Sequence, residues 1–258
     1  MFRTVYAIAA LVFRLAVVGD VGDGSAAVAR GIAAAGRVDA IVLTGDNIYP
    51  CGVQSATDPK WALLRPLAHL GVPIYPVLGN HDHCGNANAE IGAPLANWHF
   101  PSREYNFATP FAEFAMIDTT PYVNGTKAAP QFRFTTNGWR IVVGHHPLLS
   151  SGYHGRFSRT EHRRMLQLVP AMRSAKVDLY ICGHDHHLEL IDGSPRMLIS
   201  GAASDPVPAV LRHARTRFVT EGRVKGFAML ELTTTTMAIQ FYDSSGKPIS
   251  GRFVYSRP

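Results

Sequence analysis

The sequence lacks an uninterrupted apolar segment of membrane-spanning length. Its first apolar run, near the amino terminus, meets Arg14 and then Asp20 before it reaches the roughly 20 residues that a spanning helix needs. The chain also lacks internal repeats and low-complexity linkers, apart from the threonines at 233–236. Because 47% of its 258 residues are hydrophobic, it can bury the core of one large domain.

Strong charge of either sign is missing as well. The formal net charge is +6, from 25 Lys and Arg against 19 Asp and Glu, which is a mild excess. Basic residues gather at 156–164 and 212–225, where they could capture a phosphate-bearing ligand. Like-charged runs are more often a solvated surface, and this is the favoured interpretation. No DNA- or RNA-binding motif accompanies them, so no nucleic-acid partner is predicted.

The amino terminus has the beginning of an export signal. Residues 1–13 contain Arg3 and then an apolar run, but no polar cleavage stretch before the next predicted strand. We expect a truncated apolar leader at 1–13 and a single domain at 14–258. A secreted or periplasmic location is the favoured expectation, and a cytoplasmic one is the alternative.

Short apolar runs recur along the chain, each followed by polar residues: RLAVVGD, DAIVLTGD, IYPVLGNHD, RIVVGHHP and DLYICGHDH. Apolar runs without alternation are typical of strands that are buried on both faces. Helical patterns lie at 25–35, 59–70 and 158–173, and further strands are predicted at 104–118, at 131–143 and in the tail. The sequence therefore predicts an α/β fold in which helices cover layers of sheet.

Each of these apolar runs ends in residues that can bind a metal ion. They are Asp20, Asp46, Asn80 with His81, His145 with His146, and His184 with His186. Layered α/β folds place their sites in loops at the carboxyl ends of strands. Carboxylates mixed with imidazoles suit iron, manganese or zinc, and differ from a thiolate-bound structural zinc. Asp20 has no basic neighbour in VVGDVGDG, so a bound cation would supply the charge that a buried carboxylate needs.

Five blocks, GDVG, GDNIY, GNHD, VVGHHP and GHDHH, resemble in their order those of the calcineurin-like metallophosphoesterases. Within that superfamily the chain resembles the small, tartrate-resistant-type purple acid phosphatases. Gly22 stands where the superfamily usually has a histidine, and Tyr49 stands where these enzymes have a tyrosine. The similarity extends through WHFPSREYNF, MIDT, LISGAAS and IQFYDSSGKPI, whereas residues 205–226 form a shorter loop than the family's. The resemblance implies an α/β fold, a four-layer αββα sandwich of two mixed β-sheets.

The resemblance also implies a binuclear metal centre. The first ion would be bound by Asp20, Asp46, Tyr49 and His186, and the second by Asp46, Asn80, His145 and His184. Tyrosine titrates near 10, so keeping the Tyr49 phenol ionised at a pH of about 5 requires roughly 7 kcal/mol. A strongly Lewis-acidic cation supplies this free energy, so we expect Fe(III) in the first site. The second site is expected to hold Fe(II), Zn or Mn.

The activity implied by the resemblance is hydrolysis of phosphate monoesters by a metal-bound hydroxide. His81 and His154 match family histidines and are assigned to leaving-group protonation and substrate binding, with a purely structural role as the alternative. A phosphodiesterase or nucleotide pyrophosphatase with the same centre remains open, and so does a module that binds metal without turnover. We expect a monomer that acts on a small-molecule phosphate ester and has no stable membrane partner.

Residues beside the implied ligands are given supporting roles. His146 and His187 are left outside the metal set. Asp82 and Asp185 lie between paired histidines and could orient imidazoles by accepting an N–H. Asp23 is expected to cap the helix that starts near residue 25.

Two further patterns concern a helix start and the cysteines. Residues 158–161, Ser-Arg-Thr-Glu, have the spacing of a capping box. Of the three cysteines, Cys51 and Cys84 follow two of the motif blocks and could form a disulfide if the protein is exported. Cys182 lies in an apolar run and is expected to be a small buried hydrophobe.

Overall fold

The computed structural model describes residues 11–93 and 95–257. Its strands are β1 (Phe13–Val18), β2 (Ala40–Leu43), β3 (Ile74–Pro76), β4 (Tyr105–Ala108), β5 (Ala112–Met116), β6 (Trp139–Val143), β7 (Leu179–Cys182), β8 (Leu188–Ile191), β9 (Arg196–Ser200), β10 (Thr216–Val219), β11 (Gly226–Leu232), β12 (Thr236–Asp243) and β13 (Phe253–Ser256). Its helices are α1 (Ser25–Ala35), α2 (Arg65–Ala68), α3 (Asn80–Cys84), α4 (Thr120–Val123), α5 (Tyr153–Phe157), α6 (Arg159–Leu166) and α7 (Val169–Ser174).

The strands form two mixed β-sheets. The first has the order β13-β12-β11-β1-β2-β3, in which β1, β2 and β3 are parallel and β11 to β13 are antiparallel to their neighbours. The second has the order β10-β8-β9-β7-β6-β5-β4, with a parallel centre of β9, β7, β6 and β5. The parallel strands of each sheet bring their carboxyl ends to one edge, where their following loops meet.

Apolar side chains fill three layers between four layers of secondary structure. The two sheets pack on each other through a core that includes Leu15, Val42 and Phe114. The outer face of the first sheet packs on α1, and that of the second sheet packs on α4, α6 and α7. The predicted four-layer sandwich of two mixed sheets with helices outside is confirmed.

The strand β1 shows why the apolar runs do not alternate with polar residues. Leu15 and Val17 face the second sheet, whereas Ala16 and Val18 face α1, and all four are fully buried. A strand buried on both faces needs an apolar residue at every position. The other predicted apolar runs likewise form β2, β3, β6 and β7.

The strand predicted at 131–143 is shorter in the structure. It begins at Trp139 as β6, and residues 131–138 form no strand. The backbone N–H groups of Thr135 and Thr136 donate to the Glu113 carboxylate, so this segment is held by a side chain and does not join the sheet ladder. The strands predicted within 104–118 are β4 and β5.

Two predicted helices are interrupted. The helix predicted at 59–70 consists of a 3-10 segment, Pro59–Leu64, followed by α2. The helix predicted at 158–173 is divided into α6 and α7, and Pro170 lies in the first turn of α7. Proline has no N–H to continue a preceding helix, which explains a new start at this point.

The predicted leader at 1–13 lies mostly beyond the described part of the chain, since residues 1–10 are outside it. Phe13, its last residue, already pairs with Leu232 as the first position of β1. Within residues 11–93 and 95–257, every helix is too short or too polar to cross a bilayer.

Replacing Phe114 tests the contribution of the core between the sheets to stability. Phe114 is fully buried and stacks on Phe107, with ring centroids 4.5 Å apart. We expect Phe114→Ala to lower the free energy of unfolding by about 3–5 kcal/mol, through lost burial and the cavity that remains. Chemical denaturation measures this change. Val254→Ala, on the exposed face of β13, is the matched control and should change stability by less than about 0.5 kcal/mol; an equal effect of both changes would contradict this account of the core.

Candidate metal centre

The predicted site residues meet where strands of both sheets end. Asp20 follows β1, Asp46 follows β2, and Asn80 follows β3 as the first residue of α3. From the second sheet, His145 follows β6 and His184 follows β7. The two sheets therefore contribute ligand-type side chains to one shared edge, as expected for parallel strand ends.

The Tyr49 hydroxyl is the centre of the first group of donors. It lies 3.1 Å from Asp20 Oδ1, 3.0 Å from Asp46 Oδ2 and 3.1 Å from His186 Nε2. His186 Nε2 is also 3.3 Å from Asp20 Oδ1. These donor atoms converge on one small volume and include every residue expected for the first ion.

His145 Nε2 is the centre of the second group. It lies 3.1 Å from Asn80 Oδ1, 3.1 Å from His184 Nδ1 and 3.4 Å from Asp46 Oδ2. Asp46 Oδ2 therefore belongs to both groups. Every residue expected for the second ion is present here, so the structure brings the complete predicted set together.

The charges of this site explain why a cation fits it. Burial and the carboxylates of Asp20 and Asp46 hold the pKa of Tyr49 well above its usual range. Burial acts to lower the pKa of His145, but Asp46, Asp20 and the backbone carbonyl of Thr44 together outweigh burial and raise the pKa to about 10. The pKa of His186 is raised to about 9, against the effect of its burial, by Asp20. The buried carboxylates thus favour positive charge beside them, which metal ions bound by these oxygen and nitrogen donors would supply.

Backbone carbonyl groups orient two of the imidazoles. His145 Nδ1 lies 2.9 Å from the carbonyl oxygen of Thr44, and His186 Nδ1 lies 2.9 Å from that of Asp205. A histidine that donates one N–H in this way leaves its other nitrogen free to bind a metal. Both rings therefore present Nε2 to the site.

The carboxylates of Asp82 and Asp185 do not orient imidazoles, contrary to the expectation from sequence. Asp82 accepts the backbone N–H of Gly79 at 2.8 Å and that of Asn47 at 2.9 Å. Asp185 accepts the backbone N–H of His154 at 3.0 Å. Their short side chains satisfy loop backbone groups that would otherwise be unpaired, and so they hold the site loops in place.

The two candidate acid histidines flank the centre. His81 Nε2 lies 3.9 Å from Asp46 Oδ2, and its side chain is 40% exposed. The His154 ring lies 3.8 Å from the His184 ring, measured between centroids, and its side chain is 34% exposed. Both can therefore reach a molecule bound at the mouth of the site.

His146 and His187 have partners outside the two donor groups. His146 Nδ1 lies 2.7 Å from the Thr119 hydroxyl, and His187 Nε2 lies 3.0 Å from the buried Glu189 carboxylate. Glu189 also accepts the backbone N–H of Ser151 at 2.9 Å, which fixes the segment that precedes His154. His146 also lies near the second donor group, since ligand atoms of His145, His146 and His184 lie within 4.8 Å of one another, so leaving His146 and His187 out of the metal set stays a prediction.

The predicted side-chain caps of two helices are not formed. Gly24 occupies the N-cap of α1 without a side-chain hydrogen bond, and Asp23 is exposed in the preceding 3-10 turn. Ser158 occupies the N-cap of α6, also without a capping bond. Its hydroxyl lies 3.2 Å from His154 Nδ1, and the Glu161 carboxylate faces His184. Sequence reasoning missed Glu161 as a residue of the site, because its spacing from Ser158 indicated a cap.

Two openings reach the centre. A cavity of about 590 Å³ is bounded by Asn80, His154, Glu161 and His184 among others. A second, of about 220 Å³, lies between Tyr153, His186 and the apolar residues Val207 and Pro208. A small phosphate ester can therefore approach the donor groups from solvent.

A disulfide joins the loops that carry Tyr49 and Asn80. It links Cys51 to Cys84, whose Cα atoms are 5.0 Å apart. The pairing is the one considered from sequence for an exported protein. Cys182 is a buried free thiol, as expected.

The comparisons with known proteins agree with this geometry. The family model of the calcineurin-like phosphoesterases matches residues 13–188, and the chain belongs to this family. Its relatives include purple acid phosphatase 4 of Arabidopsis thaliana, 30% identical over 82% of this chain and 72% of the relative. Tartrate-resistant acid phosphatase type 5 of Sus scrofa is 29% identical over 82% of this chain and 74% of the relative.

Solved structures share the fold. The purple acid phosphatase PPD1 of yellow lupin (Lupinus luteus) superposes with a TM-score of 0.72 and 16% identity, over 96% of this chain and 54% of that one. GAP50 of Plasmodium, described as the anchor in the inner membrane complex, has a TM-score of 0.72 and 25% identity, over 95% of this chain and 88% of that one.

Alkylation of the cysteines tests the disulfide. In denatured, unreduced protein we expect iodoacetamide to modify one cysteine, Cys182, because Cys51 and Cys84 are bonded to each other. After reduction, all three cysteines should react. Intact-mass measurement counts the added groups, and modification of all three before reduction would contradict the pairing.

Proposed function

We propose that this protein is a binuclear metal-dependent phosphatase of the purple acid type, which hydrolyses phosphate monoesters. The observation that carries the proposal is the position of Asp46 Oδ2, 3.0 Å from the Tyr49 hydroxyl and 3.4 Å from His145 Nε2. One carboxylate there can serve two ions. The names of the relatives, purple acid phosphatase and tartrate-resistant acid phosphatase, add support.

The proposed first ion, held by Asp20, Asp46, Tyr49 and His186, is Fe(III). The pKa of the Tyr49 phenol is raised by burial and by two carboxylates, so only a strongly Lewis-acidic cation would keep it ionised at acidic pH. The proposed second ion, held by Asp46, Asn80, His145 and His184, is Fe(II), Zn or Mn, because neutral imidazole and amide ligands suit a divalent ion.

Bound together, the two ions would lower the pKa of water and neutralise charge on the phosphate. Side chains of the protein would donate the proton to the leaving group and bind the phosphate. His154 is held at the mouth by the Asp185 carboxylate through its backbone N–H, so its ring can donate a proton to the leaving alcohol oxygen. The His81 ring lies 4.5 Å from the Tyr49 ring between centroids, and His81 would bind a phosphate oxygen.

Two other functions remain as alternatives. A phosphodiesterase or nucleotide pyrophosphatase would use the same donors, and a much higher rate on bis(p-nitrophenyl) phosphate than on the monoester would select it. The second alternative is a module that binds metal or phosphate without hydrolysing an ester. The observation that favours it is the description of GAP50 as an anchor. Such a module would bind vanadate and hydrolyse nothing with both metals present.

We also propose that residues 14–258 act as one catalytic domain and that the protein is exported and monomeric. The disulfide between Cys51 and Cys84 supports export, because disulfides persist in oxidising compartments. The apolar run in residues 1–13 is consistent with an export segment. The openings at the centre suit a small-molecule ester as substrate.

The visible absorption spectrum of iron-loaded protein tests the metal assignment. We expect a broad iron–phenolate band in the green to yellow region, and we expect Tyr49→Phe to abolish it because the phenolate is the absorbing ligand. Tyr153→Phe, which changes an exposed tyrosine at the mouth, is the control and should keep the band. A colourless wild-type protein loaded with metal, or an unchanged band in Tyr49→Phe, would reject Fe(III) bound by Tyr49.

Replacing His154 tests the proposed proton donor. We expect His154→Ala to lower kcat by about 100-fold or more on monoesters with poor leaving groups, with unchanged metal content, because general acid catalysis is lost. Steady-state kinetics and elemental analysis measure the two quantities. His69→Ala, an exposed histidine after α2, should leave both unchanged; full activity of His154→Ala would remove the role assigned to His154.

A further inference from the structure

Glu161 occupies an unexpected position for a residue near the start of a basic helix. It has the right spacing from Ser158 for a capping box, yet α6 begins without a side-chain cap. A cap of this kind would stabilise the first turn of the helix by accepting a backbone N–H. The helix forgoes this stabilisation, and the Glu161 side chain extends to the histidines of the site.

The two carboxylate oxygens of Glu161 contact different rings. Oε1 lies 2.8 Å from His184 Nε2 and 3.5 Å from His146 Nε2, while Oε2 lies 3.6 Å from His154 Nδ1. The side chain of Glu161 is 23% exposed and borders the larger opening. The carboxylate therefore lies between a proposed metal ligand and the proposed proton donor.

The two nitrogens of the His184 ring have different surroundings, and this difference explains why the contact with Glu161 matters. Nδ1 lies 3.1 Å from His145 Nε2, within the second donor group. Nε2 is buried and has no well-directed hydrogen bond among the described residues, although Glu161 Oε1 is 2.8 Å away. A neutral imidazole that binds through Nδ1 must carry its proton on Nε2. Glu161 Oε1, 2.8 Å from Nε2, is an acceptor within reach of that N–H.

We propose that Glu161 is a positioning residue: its carboxylate accepts the Nε2–H of His184, directs Nδ1 to the second metal ion, and holds His154 beside that ring. This inference rests on the proposed function, because it requires the second metal site. Carboxylates that accept an N–H from a metal-bound histidine typically change metal affinity by 10–100-fold when they are removed. The retention of the second ion is therefore the quantity to measure.

The experiment compares wild type with Glu161→Ala and Glu161→Gln. Each protein is loaded with iron and zinc, and the release of each metal into excess chelator is followed by a metallochromic indicator and elemental analysis. We expect Glu161→Ala to release the second ion about 10–100-fold faster than wild type. Glu161→Gln keeps an acceptor oxygen and should release it more slowly than Glu161→Ala does.

Two controls separate positioning from general damage. Arg163→Gln removes an exposed charge from the same helix and should not change release. The first ion is an internal control, since its proposed ligands do not contact Glu161, and its release should be equal in all variants. If Glu161→Ala unfolds at the assay temperature, the comparison of Glu161→Gln with wild type decides, with a measurable increase in release expected.

Release is measured without substrate, so the outcomes can be told apart. Equal retention of the second ion in all variants overturns the role of Glu161. A Glu161→Gln protein that releases the ion as fast as Glu161→Ala also overturns it, because a hydrogen-bond acceptor would then be irrelevant. A wild-type protein that binds two ions but hydrolyses no ester rejects the proposed function and leaves this test intact. A wild-type protein that binds no second ion overturns both.

Discussion

The site depends on the contacts made by one buried carboxylate, that of Asp46. It is 2% exposed, and its Oδ1 accepts the backbone N–H of His81 at 2.8 Å while its Oδ2 faces both Tyr49 and His145. Burial acts to raise its pKa, but His145 and His81, through their charge and hydrogen bonds, together outweigh burial and hold the pKa below its usual range. A buried carboxylate of this kind requires cationic neighbours, so the loops of both sheets must converge on it.

This convergence strains the backbone at its centre. Asp20, Asp46 and His184 have φ values of 55°, 49° and 68°, in the left-handed region that glycine favours. Such residues cost about 1–3 kcal/mol each and persist where the surroundings determine their conformation. Here those surroundings include the contact of Asp20 Oδ2 with the N–H of His184, at 2.9 Å, and the two sheets packed below. The rigid sandwich thus holds donor atoms in a geometry that the loops alone would not adopt.

The segment of the site that carries His154 is held in place in a different way. The segment that carries His154 has little apolar burial of its own, and it is held by carboxylates that accept its backbone N–H groups. Asp185 holds the N–H of His154 and Glu189 holds that of Ser151. Glu161 then connects this segment to His184. Carboxylates, of which Asp185 and Glu189 are buried and Glu161 is partly exposed, therefore link the mouth of the site to the proposed metal ligands.

The positions of β1, β2, β3, β6 and β7 and the approximate site could be predicted from the sequence, because each depends on a short local pattern, whereas β8, β9 and β10 and the order of strands within each sheet were not predicted. A strand buried on both faces is apolar throughout, and a polar residue after its last position lies at the sheet edge. The resemblance of the motif blocks then supplied the grouping of Asp20, Asp46 and Tyr49 that the structure brings within 3.1 Å.

The side-chain partners, in contrast, were decided by the tertiary structure alone. The spacing of Ser158 and Glu161 is correct for a helix cap, but in the folded chain the Ser158 hydroxyl lies 3.2 Å from His154 Nδ1 and the Glu161 carboxylate lies 2.8 Å from His184 Nε2. Asp82 and Asp185 accept backbone N–H groups of the loops, and the N–H groups of residues 135–136 donate to the side chain of Glu113, not to the backbone of a strand. Partners such as His154 and Asp185, or Glu161 and His184, are far apart in sequence, so only the folded chain brings them within contact distance.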